Sequence, residues 1–287
     1  MERISEKLVG YNFSKLEDRM GFELGGVIEK EIPLAYCSEN FERCVASMDY
    51  TSLRINDTEK TVMAFVSDLR KKLKKNSLPD VSSLCVYPRF VSVVKKQLEG
   101  SSIKVAAVGA CFPASQSFLE IKLAECRAVI AAGADEVDVV ISVGELLEKN
   151  YETVYQELIA IREVCEGVQL KVILETGELK DTESIFLGAL IAAYAGADFI
   201  KTSTGKVPVN ATPESAYVIC EAIRQFHAQT GKKVGIKVSG GITKIQNAIR
   251  YLTIVKHILG EEWLSPHYFR LGTSQLVDDV VKEMGKP

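Results

Sequence analysis

Short runs of apolar residues alternate along this chain with longer stretches in which apolar residues recur every three or four positions. The first pattern is typical of buried strands and the second of helices with one buried face. Eight such pairs follow one another from residue 44 onward. The predicted strands are 44–52, 82–88, 102–110, 135–142, 168–175, 198–203, 233–239 and 267–272. The predicted helices are 58–75, 89–99, 117–132, 150–166, 181–195, 213–229, 244–260 and 273–284.

This alternation predicts the fold class, because nearly continuous apolar strands separated by helices form parallel sheets covered on their faces. Eight strand–helix units also close a (β/α)8 barrel. A doubly wound open sheet is the alternative, and it is less favoured because no G-x-G-x-x-G motif follows the first strand. We therefore expect one α/β domain, a (β/α)8 TIM barrel over residues 41–287. Residues 1–40 lack strand patterning and are predicted to form a partly helical extension outside the barrel.

Composition narrows the class of partner. The chain of 287 residues is 47% hydrophobic and 25% charged with a formal net charge of −3, as in ordinary globular proteins. Its densest basic cluster, residues 70–75, falls at the end of a predicted helix, where lysine suits the helix dipole and solvent. We therefore expect no nucleic-acid partner.

Cysteine and histidine usage predicts the compartment and argues against a metal site. The seven cysteines form no C-x-x-C pair, and the three histidines are too far apart for metal-ligand spacing. No secretory signal and no apolar run near 18 residues is evident, so we expect a cytoplasmic protein without a membrane partner. No cofactor is predicted.

Charged residues inside the predicted strands mark the candidate chemistry. Lys201 and Lys237 lie near the carboxyl ends of adjacent strands, where barrels carry their active sites. Two neighbouring ammonium groups disfavour each other's charge, so one of them is predicted to be a neutral amine. A neutral amine can attack a carbonyl and form a Schiff base. Lys171 and Glu175 share one strand face, and we interpret them as structural ion-pairing groups within the barrel.

Glycines after the last two strands suggest what the site holds. Gly240, Gly241 and Gly272 allow close backbone approach, and a helix begins after each loop and could offer N–H donors to an anion. These are the loops at which barrels commonly bind phosphate. A phosphorylated substrate is therefore expected.

At this point the motifs resemble those of the deoxyribose-phosphate aldolase family over roughly residues 40–285. The matching stretches are "MDYTSL", "CVYPRF", "EVDVV", "ETGELKD", "AGADFIKTSTGK", "VNATPESA", "GIKVSGGI" and "HYFRLGTS". The resemblance implies a metal-independent class I aldolase that reversibly cleaves 2-deoxy-D-ribose 5-phosphate to acetaldehyde and D-glyceraldehyde 3-phosphate, in deoxyribonucleoside catabolism. It also implies a homodimer or homotetramer.

The same resemblance implies residue roles. Lys201 would form the Schiff base, Lys237 would lower its pKa, Asp138 would move protons through a water, and Asp49 would be a further active-site acid. The substrate and its phosphate would lie on a set of loop residues: Thr204, Gly205, Lys206, Gly240, Gly241, Gly272 and Ser274.

The match departs from the family pattern at several loop positions. Thr243 stands where arginine is usual, Val238 adds bulk beside Lys237, and Gln275 replaces a serine. Cys111 and Ser115 replace two glycines after the third strand, and the tyrosine-terminated tail of some members is not matched. These changes leave a second hypothesis open, a diverged aldolase-fold protein that acts on another substrate or serves as a protein-binding scaffold.

Overall fold

Eight parallel strands close into a barrel in chain order, as the computed structural model shows for residues 3–13, 15–179 and 181–285. The strands are β1 (Met48–Thr51), β2 (Ser83–Val86), β3 (Lys104–Val108), β4 (Glu136–Val140), β5 (Gln169–Ile173), β6 (Phe199–Lys201), β7 (Gly235–Ser239) and β8 (Phe269–Thr273). The barrel closes where β8 pairs with β1, with Leu271 beside Met48 and Thr273 beside Tyr50. The predicted (β/α)8 barrel is confirmed.

A helix follows every strand and covers the outside of the barrel. These are α5 (Glu59–Lys75), α6 (Val91–Gln97), α7 (Leu119–Ala131), α9 (Tyr151–Val164), α11 (Thr182–Tyr194), α12 (Pro213–Thr230), α13 (Ile245–Leu259) and α14 (Leu276–Met284). Two short helices, α8 (Val143–Leu147) and α10 (Thr176–Leu179), lie directly after β4 and β5. The eight predicted helices therefore correspond to observed ones. None of the helices in the described part of the chain is long and apolar enough to cross a membrane.

The segment before the barrel is helical where it is described. It contains α1 (Ile4–Lys7), α2 (Leu16–Gly26), a π-helical turn (Val27–Glu31), α3 (Ile32–Ala35) and α4 (Ser38–Ala46). α1 contacts α9, α2 contacts α12, and α3 contacts α13, so the segment lies against the outer helices. Because α4 runs across residue 40, the domain boundary at that residue stays a prediction.

The buried residues form two apolar groups of unequal size. The larger lies between the strands and the surrounding helices, where residues such as Val172 and Ile236 are fully buried. The smaller comprises Leu53, Cys85, Ala106 and Val108. Charged side chains from the other strands are also buried: Asp49, Glu136, Asp138, Lys171, Lys201, Lys237 and Arg270.

A close contact in the barrel wall generates a stability prediction. A Cβ atom on Gly235 would lie 2.5 Å from the Phe199 ring and 2.8 Å from the Tyr268 carbonyl oxygen. Gly235→Ala should therefore lower the free energy of unfolding by about 1–3 kcal/mol through overpacking. The urea midpoint of purified variants measures this.

Gly21→Ala is the matched control, because Gly21 lies in α2 and an added Cβ would meet nothing within 4 Å. It should stabilise by about 0.5–1 kcal/mol through helix propensity. Equal midpoints for wild type and Gly235→Ala would show that β7 is not packed against Phe199 and Tyr268 as closely as described.

Candidate active site

A cleft of ≈ 210 Å³ opens at the carboxyl ends of the strands, and both predicted lysines, Lys201 and Lys237, line it. The predicted substrate-binding residues line it as well: Thr204, Gly205, Lys206, Gly240, Gly241, Gly272 and Ser274. The structure therefore brings together the chemical groups and the glycine-containing loops that the sequence pattern placed on different strands.

Lys201 is the last residue of β6, and strand register sets it directly beside Lys237 on β7. Both side chains point into the barrel and are almost completely buried. Each Nζ lies 2.7 Å from Oδ2 of Asp138, which stands on β4. The two amines therefore share one carboxylate oxygen, and the expected proximity of the two lysines is realised.

The other oxygen of Asp138 is also occupied. Lys171 on β5 is the register neighbour of Asp138, and its Nζ lies 2.9 Å from Asp138 Oδ1. One carboxylate is therefore contacted by three lysine amino groups. Asp138 and Lys171 are both fully buried, so water does not compete for the contacts of either side chain.

Asp49 and Glu136 continue the network away from the cleft. Asp49 Oδ2 lies 2.5 Å from Lys237 Nζ, and its Oδ1 accepts from Arg270 at 2.6 Å. Glu136 accepts from Lys171 at 2.6 Å and from Arg270 at 3.0 Å. Asp49 does not line the cleft, so it reaches the site through Lys237.

The expectation that Lys171 and Glu175 are structural ion-pairing groups within the barrel is wrong for Glu175 and confirmed for Lys171. Its ammonium contacts Asp138, Glu136 and Asp49 within the charged cluster. Glu175 instead accepts from the backbone N–H and the hydroxyl of Thr204, and so holds the loop after β6. The two side chains point to different partners because Glu175 lies beyond the end of β5, with φ at +56°.

The cluster contains more potential cations than anions. Its bases are Lys171, Lys201, Lys237 and Arg270, and its acids are Asp49, Glu136 and Asp138. A fully charged cluster would bury one uncompensated positive charge, which is costly in a low-dielectric interior. The cluster has no net charge if one of its three lysine amines is neutral.

The direction of the pKa shifts identifies that amine. Burial, together with the positive charge of Lys237, lowers the pKa of Lys201 below its ordinary value despite the attraction of Asp138. Burial alone would also lower the pKa of Lys237, but the carboxylates of Asp138 and Asp49 raise it above the ordinary value. The neighbouring cations, Lys171 first, hold the pKa of Asp138 far below its usual range despite burial. Lys201 is therefore the group that most readily loses its proton.

The loops facing the lysines present backbone donors to the cleft. Gly240 and Gly241 both have positive φ, at +94° and +77°, and Gly205 has φ at +81°. The N–H groups of these glycines and of Ser274 donate to no residue in the described part of the chain. Gly240 is further constrained, since a Cβ there would lie 2.5 Å from the side chain of Asn210.

The helices after these loops contribute less than expected. The N–H of Ile245, which begins α13, donates to Asp279 at 2.8 Å. The N–H groups of Gln275 and Leu276, at the start of α14, donate weakly to the hydroxyl of Thr273. These donors are already used, so an anion would be held by the glycine turns themselves.

At the opposite end of the barrel, Arg270 blocks access to the two lysines. Its guanidinium donates to Asp49, Glu136 and the carbonyl oxygen of Pro266. A hollow of ≈ 760 Å³ lies beyond it and is lined by Glu136 and His267 but by neither Lys201 nor Lys237. The chemical groups therefore face one opening, at the carboxyl ends of the strands.

Known proteins share this combination of barrel and sequence. Residues 44–256 match the model of the DeoC/LacD family of aldolases. This chain belongs to that family. Human deoxyribose-phosphate aldolase is 38% identical over 253 residues, which cover 84% of this chain and 80% of the human protein. A Caenorhabditis elegans protein provisionally given the same name is 38% identical over 96% of this chain and 91% of its own length.

Solved structures agree with this assignment. The deoxyribose phosphate aldolase of Aeropyrum pernix, described as a tetramer, has a TM-score of 0.68 and 25% identity to this chain. The alignment covers 86% of this chain and 92% of that protein.

Two loop positions at which the sequence departs from a glycine pattern adopt a left-handed backbone. Cys111 and Ser115, in the loop after β3, have φ at +62° and +55°. The left-handed region is unfavourable for residues with a Cβ, so the loop adopts this conformation at a local energetic cost. The N–H of Cys111 donates to Glu125 at 2.6 Å and helps to hold this conformation.

The other residues that depart from the family pattern differ in whether they line the cleft. Val238 is buried in the apolar core outside the strands and does not line the cleft, so its bulk leaves the site unchanged. Gln275 is exposed and also lies off the cleft lining. Thr243 does line it, and so does Arg54, which the sequence pattern gave no reason to select. Arg270, buried in β8, was missed for the same reason.

The buried network generates a second stability prediction. Glu136→Gln removes a carboxylate that balances Lys171 and Arg270, and should cost about 3–5 kcal/mol of unfolding free energy. Glu39→Gln is the control, because the Arg43–Glu39 pair is surface-exposed and contributes at most about 1 kcal/mol. Urea unfolding of both variants measures the difference. A Glu136→Gln protein as stable as Glu39→Gln would contradict the charge balance described above.

Proposed function

We propose that this aldolase is a deoxyribose-phosphate aldolase that cleaves 2-deoxy-D-ribose 5-phosphate reversibly to acetaldehyde and D-glyceraldehyde 3-phosphate. The observation that carries the proposal is one cleft in which Lys201, Lys237 and free glycine N–H groups face the same space. The names of the human and Aeropyrum pernix relatives support the choice of substrate.

Lys201 is proposed as the Schiff-base residue of a class I mechanism. Its neutral amine attacks the C1 aldehyde of the open-chain sugar, and loss of water gives an iminium. When the C3 hydroxyl loses its proton, the C2–C3 bond breaks and its electron pair moves toward the iminium nitrogen, giving an enamine. D-glyceraldehyde 3-phosphate leaves, the enamine is protonated at C2, and hydrolysis returns acetaldehyde and the free amine. The lowered pKa of Lys201 supports the first step.

Asp138, Lys237 and Asp49 are proposed to manage the protons. Asp138 contacts both amines and, because its carboxyl stays ionised, orients a water that carries protons between substrate and base. Lys237 stays charged and keeps the pKa of Lys201 low. Asp49 acts as a positioning residue, since it holds Lys237 at 2.5 Å without reaching the cleft.

The phosphate is proposed to lie on the glycine turns opposite the lysines. The N–H groups of Gly205, Gly240, Gly241 and Ser274 donate to none of the described residues, and the positive φ of the three glycines suits an anion-binding backbone concavity. Thr204 and Gly272 line the same space. We further propose a cytoplasmic homodimer or homotetramer that acts in deoxyribonucleoside breakdown.

Covalent trapping tests the assignment of Lys201. Borohydride with 2-deoxy-D-ribose 5-phosphate should leave one reduced adduct that peptide mass mapping places on Lys201, and Lys201→Leu should abolish it. A coupled assay should detect release of D-glyceraldehyde 3-phosphate from wild type. An adduct without turnover would instead favour a diverged aldolase-fold protein, and no adduct on Lys201 would overturn the mechanism.

The pH dependence of imine formation tests the role of Lys237. Only neutral Lys201 attacks, so the trapping rate should rise with pH through the pKa of Lys201. Removing the positive charge in Lys237→Leu raises that pKa and moves the curve to higher pH, with a rate at pH 7 lower by about tenfold for each pKa unit.

Lys96→Leu is the control for this measurement, because Lys96 is an exposed lysine on α6, away from the cleft. Its curve should coincide with that of wild type. A Lys237→Leu curve that also coincides with wild type would show that the two amines are not electrostatically coupled.

A further inference from the structure

Arg54 lies at the mouth of the cleft, on the loop between β1 and α5, where none of the sequence motifs assigned it a role. It is exposed and lines the same cleft as Gly240, Gly241 and Ser274. Its guanidinium forms no hydrogen bond or ion pair with any residue that the structure describes. A cation at the rim of a polar cleft is therefore free to receive a ligand.

The backbone at Arg54 is fixed although its side chain is free. The carboxylate of Asp57 accepts from the N–H of Arg54 at 2.9 Å and from the hydroxyl of Ser52 at 2.8 Å. The N–H of Asp57 in turn donates to the carbonyl oxygen of Arg54 at 3.1 Å. These three hydrogen bonds hold the loop as a closed turn. The backbone position from which the Arg54 side chain extends is therefore fixed.

The facing loop is tied to the same turn. The ammonium of Lys206 donates to the carbonyl oxygen of Leu53, the residue before Arg54. This bond brings the loop after β6, which carries Gly205, against the loop after β1. Arg54 and Gly205 therefore lie on two loops that contact each other at the cleft.

The other cations of the cleft already have partners. Its four cationic lining residues are Arg54, Lys201, Lys206 and Lys237. Lys201 and Lys237 are bound to Asp138, and Lys206 is bound to Leu53. Thr243, on the loop after β7, also lines the cleft but carries no charge. Arg54 and Lys206 are thus the cleft cations without a carboxylate partner among the described residues, and of the two only Arg54 has a charged group with no hydrogen bond there.

We infer that Arg54 is a substrate-binding residue that pairs with a phosphomonoester on the glycine turns and selects phosphorylated over neutral sugars. The donors suit this group, because a guanidinium and four N–H groups without an acceptor in the described part of the chain match three terminal phosphate oxygens better than the two of a carboxylate. An arginine adds charge-assisted, bidentate hydrogen bonds to such an anion. The inference rests on the proposed function for its choice of sugar.

Kinetics on two substrates test the inference. Arg54→Gln should lower kcat/KM for 2-deoxy-D-ribose 5-phosphate by about 10- to 100-fold, as expected for losing hydrogen bonds to a charged group. The loss should lie in KM with kcat little changed, because the contact is made equally in the ground and transition states. The rate with unphosphorylated 2-deoxy-D-ribose should stay the same. Arg54→Lys, which keeps the charge but not the bidentate geometry, should fall between.

Arg127→Gln is the matched control, because Arg127 is exposed on α7 and does not line the cleft. It should equal wild type on both substrates. Calorimetric titration with inorganic phosphate gives a readout that does not need turnover, and Arg54→Gln should weaken its binding by a similar factor.

Equal kinetics for wild type and Arg54→Gln, or equal losses on both sugars, would overturn the inference. If wild type fails to cleave 2-deoxy-D-ribose 5-phosphate but binds phosphate through Arg54, the proposed function fails and the anion site stands. If it cleaves the sugar and Arg54→Gln binds phosphate as wild type does, the proposed function stands and the anion site fails.

Discussion

The carboxylate of Asp138 holds three buried lysine side chains inside the barrel, and the rest of the site depends on this arrangement. Burying several charges is unfavourable unless each finds a partner, and here each carboxylate is shared by bases that lie on different strands. With four bases and three acids, the cluster is neutral only when one amine gives up its proton. Lys201 is that amine because it has a single carboxylate partner, whereas Lys237 has two. The surplus proton is thus lost from one of the two lysines that line the cleft.

The two ends of the cleft depend on different kinds of interaction. The lysine end is built from side chains whose positions are fixed by strand register, since Lys201 pairs with Lys237 and Asp138 pairs with Lys171. The opposite end is built from backbone groups whose direction is fixed by left-handed turns at glycines. A substrate with a carbonyl at one end and an anion at the other would satisfy both, which is the form of an open-chain sugar phosphate.

Periodicity was sufficient to predict the barrel and the meeting of Lys201 with Lys237, because both depend on strand order and on alternation along each strand. It could not place Lys171, since its contact with Asp138 depends on the register between β4 and β5, which hydrophobic pattern alone leaves open. The role of Arg270 was not predictable from its strand alone, because its contact with Glu136 on β4 arises only when the barrel closes. Arg54 lies on a loop whose turn is shaped by Asp57, and Asp279 and Thr273 satisfy helix N–H groups that looked free. Loop geometry and competing hydrogen bonds were therefore what the pattern could not supply.

The charged cluster occupies only part of the barrel interior. β1 and β4 to β8 supply its members, whereas β2 and β3 contribute the small group of Cys85, Ala106 and Val108, and burial raises the pKa of the Cys85 thiol so that it stays uncharged. None of the ion pairs among the described residues includes these three side chains, so side-chain volume is the main constraint on their substitution. The two halves of the lumen consequently differ in mutational robustness. Drift or directed evolution can reshape the β2–β3 wall, and with it the room beside the lysines, whereas loss of a charged side chain from the ionic half would leave a buried partner without its counter-charge.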